Sequence, residues 1–314
     1  MMKIYKTDEQ TNKLEEVKEF TRGNWVNLIN PTEQEIELVC KELKIEQQFI
    51  RYSLDSEEKA RIDVEDDGNI LFIIDVPITE KQEEGEIYST MPFGIIVVRD
   101  DFLVTVSSRK LPVIEDFIKG KIKTFFTYKK TRFILQFFYL ISVYYLNYLR
   151  LINKETENTE KALQKSMKNK ELIKMLNLEK SLVYFATSLK SNEIVMEKTL
   201  RGKIIKLYEE DEDILEDAII ENKQAMEMCK IYSDILSGTM DAYASIISNN
   251  LNIVMKFLAS ITIVMAIPTM ISGFFGMNVN LPFENNIFGF LIILGMTVVA
   301  SFLVAALLKK KDMF

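Results

Sequence analysis

The sequence predicts an α/β domain at the N-terminus, a long-helix stalk after it and two transmembrane helices at the C-terminus. Three observations carry this. Phe257 to Phe275 and Ile287 to Leu308 contain no charged residue, and each approaches the ~20 apolar residues that cross a bilayer as a helix. Residues 1–120 combine a short strand and a helix start with two hairpin signals between apolar runs. From about 121 to 275 the pattern is helical with few breakers. The expected domains are an α/β unit over 1–120, a helical unit over 121–251 and a transmembrane hairpin over 252–314. The spans fall at about 252–275 and 287–308, and a short basic tail follows.

In chain order, Trp25-Val26-Asn27-Leu28 reads as a short strand. Asn30 is the expected cap of a helix over Glu33–Leu43, with Pro31 at its first position. Ala60–Glu65 and Asn69–Pro77 flank Asp66-Asp67-Gly68, a hairpin turn signal. Phe93–Arg99 and Phe102–Ser107 flank Asp100-Asp101, a second one. Leu71-Phe72-Ile73-Ile74 and Gly94-Ile95-Ile96-Val97-Val98 are solid apolar runs, as in a sheet covered on both faces. Phe133–Leu149 is apolar enough to compete as a third span. It is short, carries Gln136, Ser142 and Asn147, and spreads its tyrosines instead of banding them at the ends, so a buried helix is the better account. Asn169–Leu200 reads as an amphipathic helix with Leu172, Leu176, Leu182, Phe185 and Leu189 among its apolar positions. Gly202 is a plausible break. The next helix, from about 210 to 275, meets no proline until Pro268 and would be ~100 Å long at 1.5 Å per residue. A helix of that length needs partners along it, which points to a bundle or an oligomeric funnel.

Composition excludes several classes. The chain has 314 residues and a net charge of −7, which argues against nucleic acid as a partner. It has no histidine, which removes the commonest zinc ligand and the usual neutral-pH base. With no histidine and no phosphate-binding G-x-x-x-x-G-K-[ST] loop, neither a catalytic triad nor an internal ATPase is expected. Cys40 and Cys229 stand far apart without a C-x-x-C and read as free thiols in a reducing compartment. The opening Met1-Met2-Lys3-Ile4-Tyr5 lacks a signal-peptide core, so the soluble part is expected to stay unexported. Lys309-Lys310-Lys311 follows the second span, whereas the loop between the spans carries only Glu284 as a charge. The positive-inside rule then puts both termini in the cytoplasm and the loop outside, in the cell membrane.

A 3-4 spacing along the first span selects Asn252, Met255, Ala259, Thr262, Ala266, Thr269, Gly273 and Gly276. After Met255 every member is small or hydroxylated, while the rest of the helix is bulky. Such a stripe lines a pore that offers oxygens to a hydrated ion without a trapping charge. It equally suits close helix packing through small residues. Asn252 favours the pore, because an amide at a membrane edge is costly in lipid and useful in a wet mouth. Glu209, Glu210, Asp211, Glu212, Asp213, Glu216, Asp217 and Glu221 crowd the start of the long helix. Most fit a solvated face. As a cation sensor they would suit Mg2+, a hard ion held by one or two carboxylates and its own waters.

The chain resembles the CorA family of divalent-metal channels. The resemblance rests on Trp25-Val26-Asn27-Leu28-Ile29-Asn30-Pro31-Thr32, on Leu178-Glu179-Lys180-Ser181-Leu182-Val183-Tyr184-Phe185, and on Asn249-Asn250-Leu251-Asn252 leading through Pro268-Thr269 to Gly276-Met277-Asn278. It implies a CorA-like funnel: a homopentamer in a lipid bilayer, each subunit with an α/β domain, a pair of antiparallel helices and a stalk helix running into the first span. Gly276, Met277 and Asn278 would form the outer mouth that recognises hydrated Mg2+. Asp217, Asp234 and Asp241 would match the family's regulatory carboxylates, making Mg2+ both cargo and regulator. One departure is Asn280, where many members carry an acid; Glu284 is the nearest loop acid. The expected function is Mg2+ influx gated by cytosolic Mg2+. Alternatives are a Co2+, Ni2+ or Zn2+ transporter of the same fold, or a membrane-anchored helical scaffold without a pore. The absence of histidine and of a thiolate pair favours a hard ion.

Overall fold

Leu71-Phe72-Ile73-Ile74 is fully buried along its whole length, because the strand that carries it is covered on both faces. The computed structural model describes residues 1–314 except 83, 84, 100, 167, 168, 203, 278–281, 283–286, 312 and 314. Asn278, Asn280 and Glu284 therefore lie outside the described residues. The chain divides into two compact units, Met1–Gly238 and Thr239–Phe314.

The first unit opens with β1 (Met2–Thr7), β2 (Leu14–Val17) and β3 (Trp25–Ile29), then α1 (Glu33–Leu43) and α2 (Gln47–Tyr52). Four strands follow: β4 (Arg61–Val64), β5 (Ile70–Gln82), β6 (Gly85–Val98) and β7 (Phe102–Ser107). The sheet order is β2-β1-β3-β7-β6-β5-β4. Only the β3–β7 pair is parallel; its register sets Trp25 opposite Leu103. Gly68 closes the β4–β5 hairpin at φ +83, a conformation glycine adopts without the Cβ clash other residues meet. On one face, α1 and α2 bury Ile36, Val39, Phe49 and Ile50 against Leu71, Ile73, Ile96 and Val104.

The other face is covered by α3 (Pro112–Ile118), α4 (Lys130–Ser166) and α5 (Asn169–Arg201). Rings carry this contact. Phe93 stacks on Phe137 at 4.4 Å, and Trp25 meets Phe133 at 5.3 Å. Phe133 to Leu149 is thus the sheet-covering stretch of α4, as expected, and not a span. In α5, Leu182, Phe185 and Leu189 are buried, whereas Leu176 is exposed, and Met175 and Leu178 take the inner positions instead. α6 (Glu209–Phe275) begins in this unit. Asn222 Nδ2 donates to the Leu189 carbonyl at 2.9 Å, and Cys229 Sγ to that of Leu182 at 3.0 Å. Seven residues forward on α6 match seven back on α5, so the two helices run antiparallel.

One expectation fails at α1. Asn30 sits at φ +42 and does not cap the helix. Thr32 does: its side chain accepts from the Glu35 N–H, and the Glu35 carboxylate accepts from the Thr32 N–H at 2.9 Å. Asn30 has Glu33 at the same spacing, but Thr32 holds the extended backbone of a cap, whereas Asn30 is left-handed and lies too early in the turn. The box therefore closes on Thr32 and Glu35.

The second unit holds residues 239–275 of α6, and α7 (Gly289–Lys310). Both helices have the length and apolar character to cross a membrane. α6 continues through Pro268, which has no N–H to donate to the Val264 carbonyl.

Candidate ion-conduction path

The first span has a partly covered face. Ser260 is fully buried, and Val264, Ile267, Pro268, Ile271 and Phe275 are intermediate. Ser260 Oγ donates to the Met313 carbonyl at 2.8 Å. The covered face is therefore the one toward the chain's own C-terminal end. At about 100° per residue, the small-residue stripe lies roughly opposite that face. Every stripe member, Asn252, Met255, Ala259, Thr262, Ala266, Thr269, Gly273 and Gly276, is exposed. A Cβ added at Gly273 would meet nothing within 4 Å. Packing inside this chain thus does not explain why the stripe is lean.

The hydroxyls in the stripe are oriented by the helix itself. Thr262 Oγ1 donates to the Leu258 carbonyl at 2.8 Å, and Thr269 Oγ1 to that of Met265 at 3.2 Å. Each proton is used within the helix, which leaves oxygen lone pairs for an outside donor. The water shell of a cation points its hydrogens outward, so a row of acceptors matches a hydrated cation. No charge stands among the eight stripe positions, so nothing there would hold a divalent ion too tightly to release it.

The rest of the expected site is distributed. Gly276 N–H donates to the Ser272 carbonyl at 3.0 Å and Met277 N–H to that of Phe274 at 3.3 Å, closing the helix end. Asp217, Asp234 and Asp241 are exposed on α6, and no ion pair ties them among the described residues. Nor is any group of three or more metal-ligating side chains gathered there. Among the stem acids only Asp211 is buried, held by Arg132 Nε at 3.0 Å. The solvated-face reading thus fits the others. Sequence reasoning missed the Ser260–Met313 bond, which no local pattern signals, and the Arg132–Asp211 pair, whose members are 79 residues apart.

Comparison with known proteins adds the family. A model of the family described as CorA-like Mg2+ transporter protein matches residues 21–310. This chain belongs to the CorA family. A cobalt/magnesium transport protein CorA from Methanocaldococcus jannaschii is 28% identical over 298 residues, which is 91% of this chain and 90% of that protein. One of the same description from Thermotoga maritima is 32% identical over 111 residues, 32% of each chain. The complete structure of the CorA magnesium transporter from Methanocaldococcus jannaschii superposes with a TM-score of 0.85 at 25% identity. It covers 98% of this chain and 96% of that one. The CorA fold class expected from the sequence is therefore the one observed, with an N-terminal α/β sheet, a long helix and two apolar C-terminal helices. Membership makes this chain an ion transporter of the membrane and not an enzyme.

Proposed function

We propose that this chain forms a homopentameric channel for Mg2+ influx, gated by cytosolic Mg2+. The observation that carries the reading is the lean, uncharged stripe of the first span, turned away from the covered face. Five such stripes around one axis would line a wet path, with the second spans ringing them. Residues 1–120 and 121–251 would form the cytosolic α/β and helical domains, residues 252–314 the membrane hairpin, and both termini would be cytoplasmic. Gly276, Met277 and Asn278 would recognise the ion through its hydration shell, since Mg2+ sheds water reluctantly. Asp217, Asp234 and Asp241 would bind regulatory Mg2+ across subunits, because one chain gathers no such ligand set among its described residues. A Co2+ cargo is the second reading, favoured by the described transport of both ions by the relatives.

Ion flux into proteoliposomes tests this. Wild type should pass Mg2+, with Co2+ competing less well; strong preference for Co2+ would establish the second reading, and no flux of either would leave the scaffold. Asn278→Ala should abolish Mg2+ flux while the purified protein keeps its stoichiometry. Wild-type flux in that variant removes the motif from the mechanism.

A further inference from the structure

Within the first unit lies a cavity of about 1100 Å3, at the upper edge of the roughly 300–1,000 Å3 common for small-molecule sites. The N-terminal turns of α4 and α6 both line it, and neither Asp217 nor any residue of the conduction path does. Four of its cationic side chains fall into two kinds. Arg132 is only 16% exposed and is spent on Asp211 at 3.0 Å and Glu210 at 3.2 Å. Arg99 is likewise paired with Asp67 at 2.9 Å. Lys129 and Lys206 differ, for neither has a carboxylate within ion-pair distance among the described residues. Lys206 Nζ rests over the Tyr208 ring at 5.1 Å, and Lys129 Nζ over the Phe126 ring at 5.5 Å. Two exposed lysines are thus parked on aromatic faces, a hold that a doubly charged oxyanion easily outcompetes.

The neighbouring surface is aromatic and apolar. Tyr128 and Tyr208 are 41% and 55% exposed at the cavity, and Ile70, Val97 and Ile204 line its wall. Exposed rings offer a platform for a planar base. The first turn of the 37-residue α4 adds backbone N–H groups without intrahelical acceptors and the positive end of a helix dipole. Glu209, which lines the same cavity, suits the Mg2+ that travels with polyphosphates, an ion that takes one or two carboxylates plus phosphate oxygens. A simple anion would leave the rings and the isoleucine wall unused, and an apolar ligand would leave the lysines unused.

We propose that this cavity binds a Mg2+–nucleoside polyphosphate, with phosphates on Lys129, Lys206 and the first turn of α4, and the base against Tyr128 and Tyr208. The transporter would then read the form in which cytosolic Mg2+ is carried, at a place separate from the conduction path.

Titration calorimetry of the full-length protein in detergent with Mg2+–ATP tests it, with tripolyphosphate and adenosine as separate arms. Saturable binding of one ATP per chain is expected, with tripolyphosphate and adenosine each at least tenfold weaker. Lys129→Glu with Lys206→Glu should weaken ATP at least tenfold, and Tyr208→Ala severalfold, at unchanged far-UV dichroism. Should the double variant lose its fold, Lys206→Gln alone carries the test, because that side chain is exposed. Absence of saturable ATP binding, wild-type affinity in the variants, or tripolyphosphate binding as tightly as ATP overturns the proposal. So does a variant that changes subunit stoichiometry while wild type ignores ATP, for that result seats a second copy in the cavity.

Discussion

Asp75 on β5 is where one residue most directly links burial to a measurable property. Its backbone is held on three sides: the N–H donates to Asn192 Oδ1 at 2.9 Å, and the carbonyl accepts from Asn192 Nδ2 at 2.8 Å and from Tyr145 OH at 3.1 Å. Burial pushes its carboxyl from 3.8 up to about 6, against the pull of the Ser188 hydroxyl. The folded state therefore holds its proton longer than the unfolded chain. At a pH below 3.8 the group costs nothing; the cost develops as pH rises and is complete above about 6. Asp75→Asn keeps the backbone bonds and removes the charge. It should stabilise the protein at about pH 7.5 by up to ~3 kcal/mol, two pKa units at about 1.4 kcal/mol each, and give no gain at about pH 3.5. Thermal unfolding at both pH values reads this, and an equal shift at both would assign the effect to packing. No sequence pattern marks Asp75, since the residues that bury it come from α4 and α5. The cap of α1 was legible but misassigned. Thr32 and Glu35 form a box at the standard spacing, and Pro31 drew attention to Asn30 instead. Of the mouth residues, Gly276 and Met277 fall at the end of α6, where the sequence puts the end of the span.

At the scale of elements, long periodic or uncharged segments were legible and polar strands were not. The helices expected over 169–200 and 210–275 are Asn169–Arg201 and Glu209–Phe275, and the second span begins at Gly289. Such segments declare themselves because burial or lipid imposes one period along many residues. The apolar run that marks β5 in the sequence stops at Pro77, a residue that sits poorly inside a sheet. In fact β5 runs to Gln82, with Pro77 opposite Thr90 and Pro92 opposite Asp75. β2, Leu14–Val17, escaped because its middle residues Glu15 and Glu16 are exposed at a sheet edge and show no apolar run. The stripe on α6 is visible in the sequence as a spacing that suits pore and packing equally, and Asn252 alone favours the pore. The stripe's placement opposite the covered face removes only packing within the chain as the cause, and a substitution would separate pore from packing in the assembly. Thr269→Phe should block conduction, since five added rings would crowd one level of the path. Ile261→Phe, 40% exposed and about 180° around the helix from Asn252, should change flux less than twofold. Equal loss at both positions would return the stripe to helix packing.

For the whole molecule, charge is the ground on which the proposed orientation and gating can be tested. A cysteine placed at Asn285 should react with an impermeant thiol reagent on intact cells, and one at Asp312 should not, if Lys309-Lys310-Lys311 keeps its end of the second span inside as the positive-inside rule expects. Both positions lie outside the described residues, so this expectation rests on the sequence, and reversed labelling would invert the topology. The same charge logic reaches the proposed sensor. Asp217 is exposed on the acidic first turns of α6, and no salt bridge holds it among the described residues. In a pentamer, carboxylates facing one another across subunit contacts repel. Bound Mg2+ would turn that repulsion into a bridge and favour a symmetric closed state. When cytosolic Mg2+ falls, the sites would empty and repulsion would loosen the assembly. A ligand shifts such an equilibrium only by its differential affinity, so the closed state must bind Mg2+ more tightly than the open one. Coupling of this kind is typically about 1–3 kcal/mol, which corresponds to roughly 5–150-fold in affinity, shared here over several sites. Asp217→Ala should therefore raise the internal Mg2+ needed for half-inhibition several-fold and reduce Mg2+ protection of α6 against protease. Selectivity should not change, because the conduction path is untouched. If inhibition and protection both stay normal in that variant, the sensor lies with Asp234 and Asp241, and the same pair of measurements on those two positions decides between them.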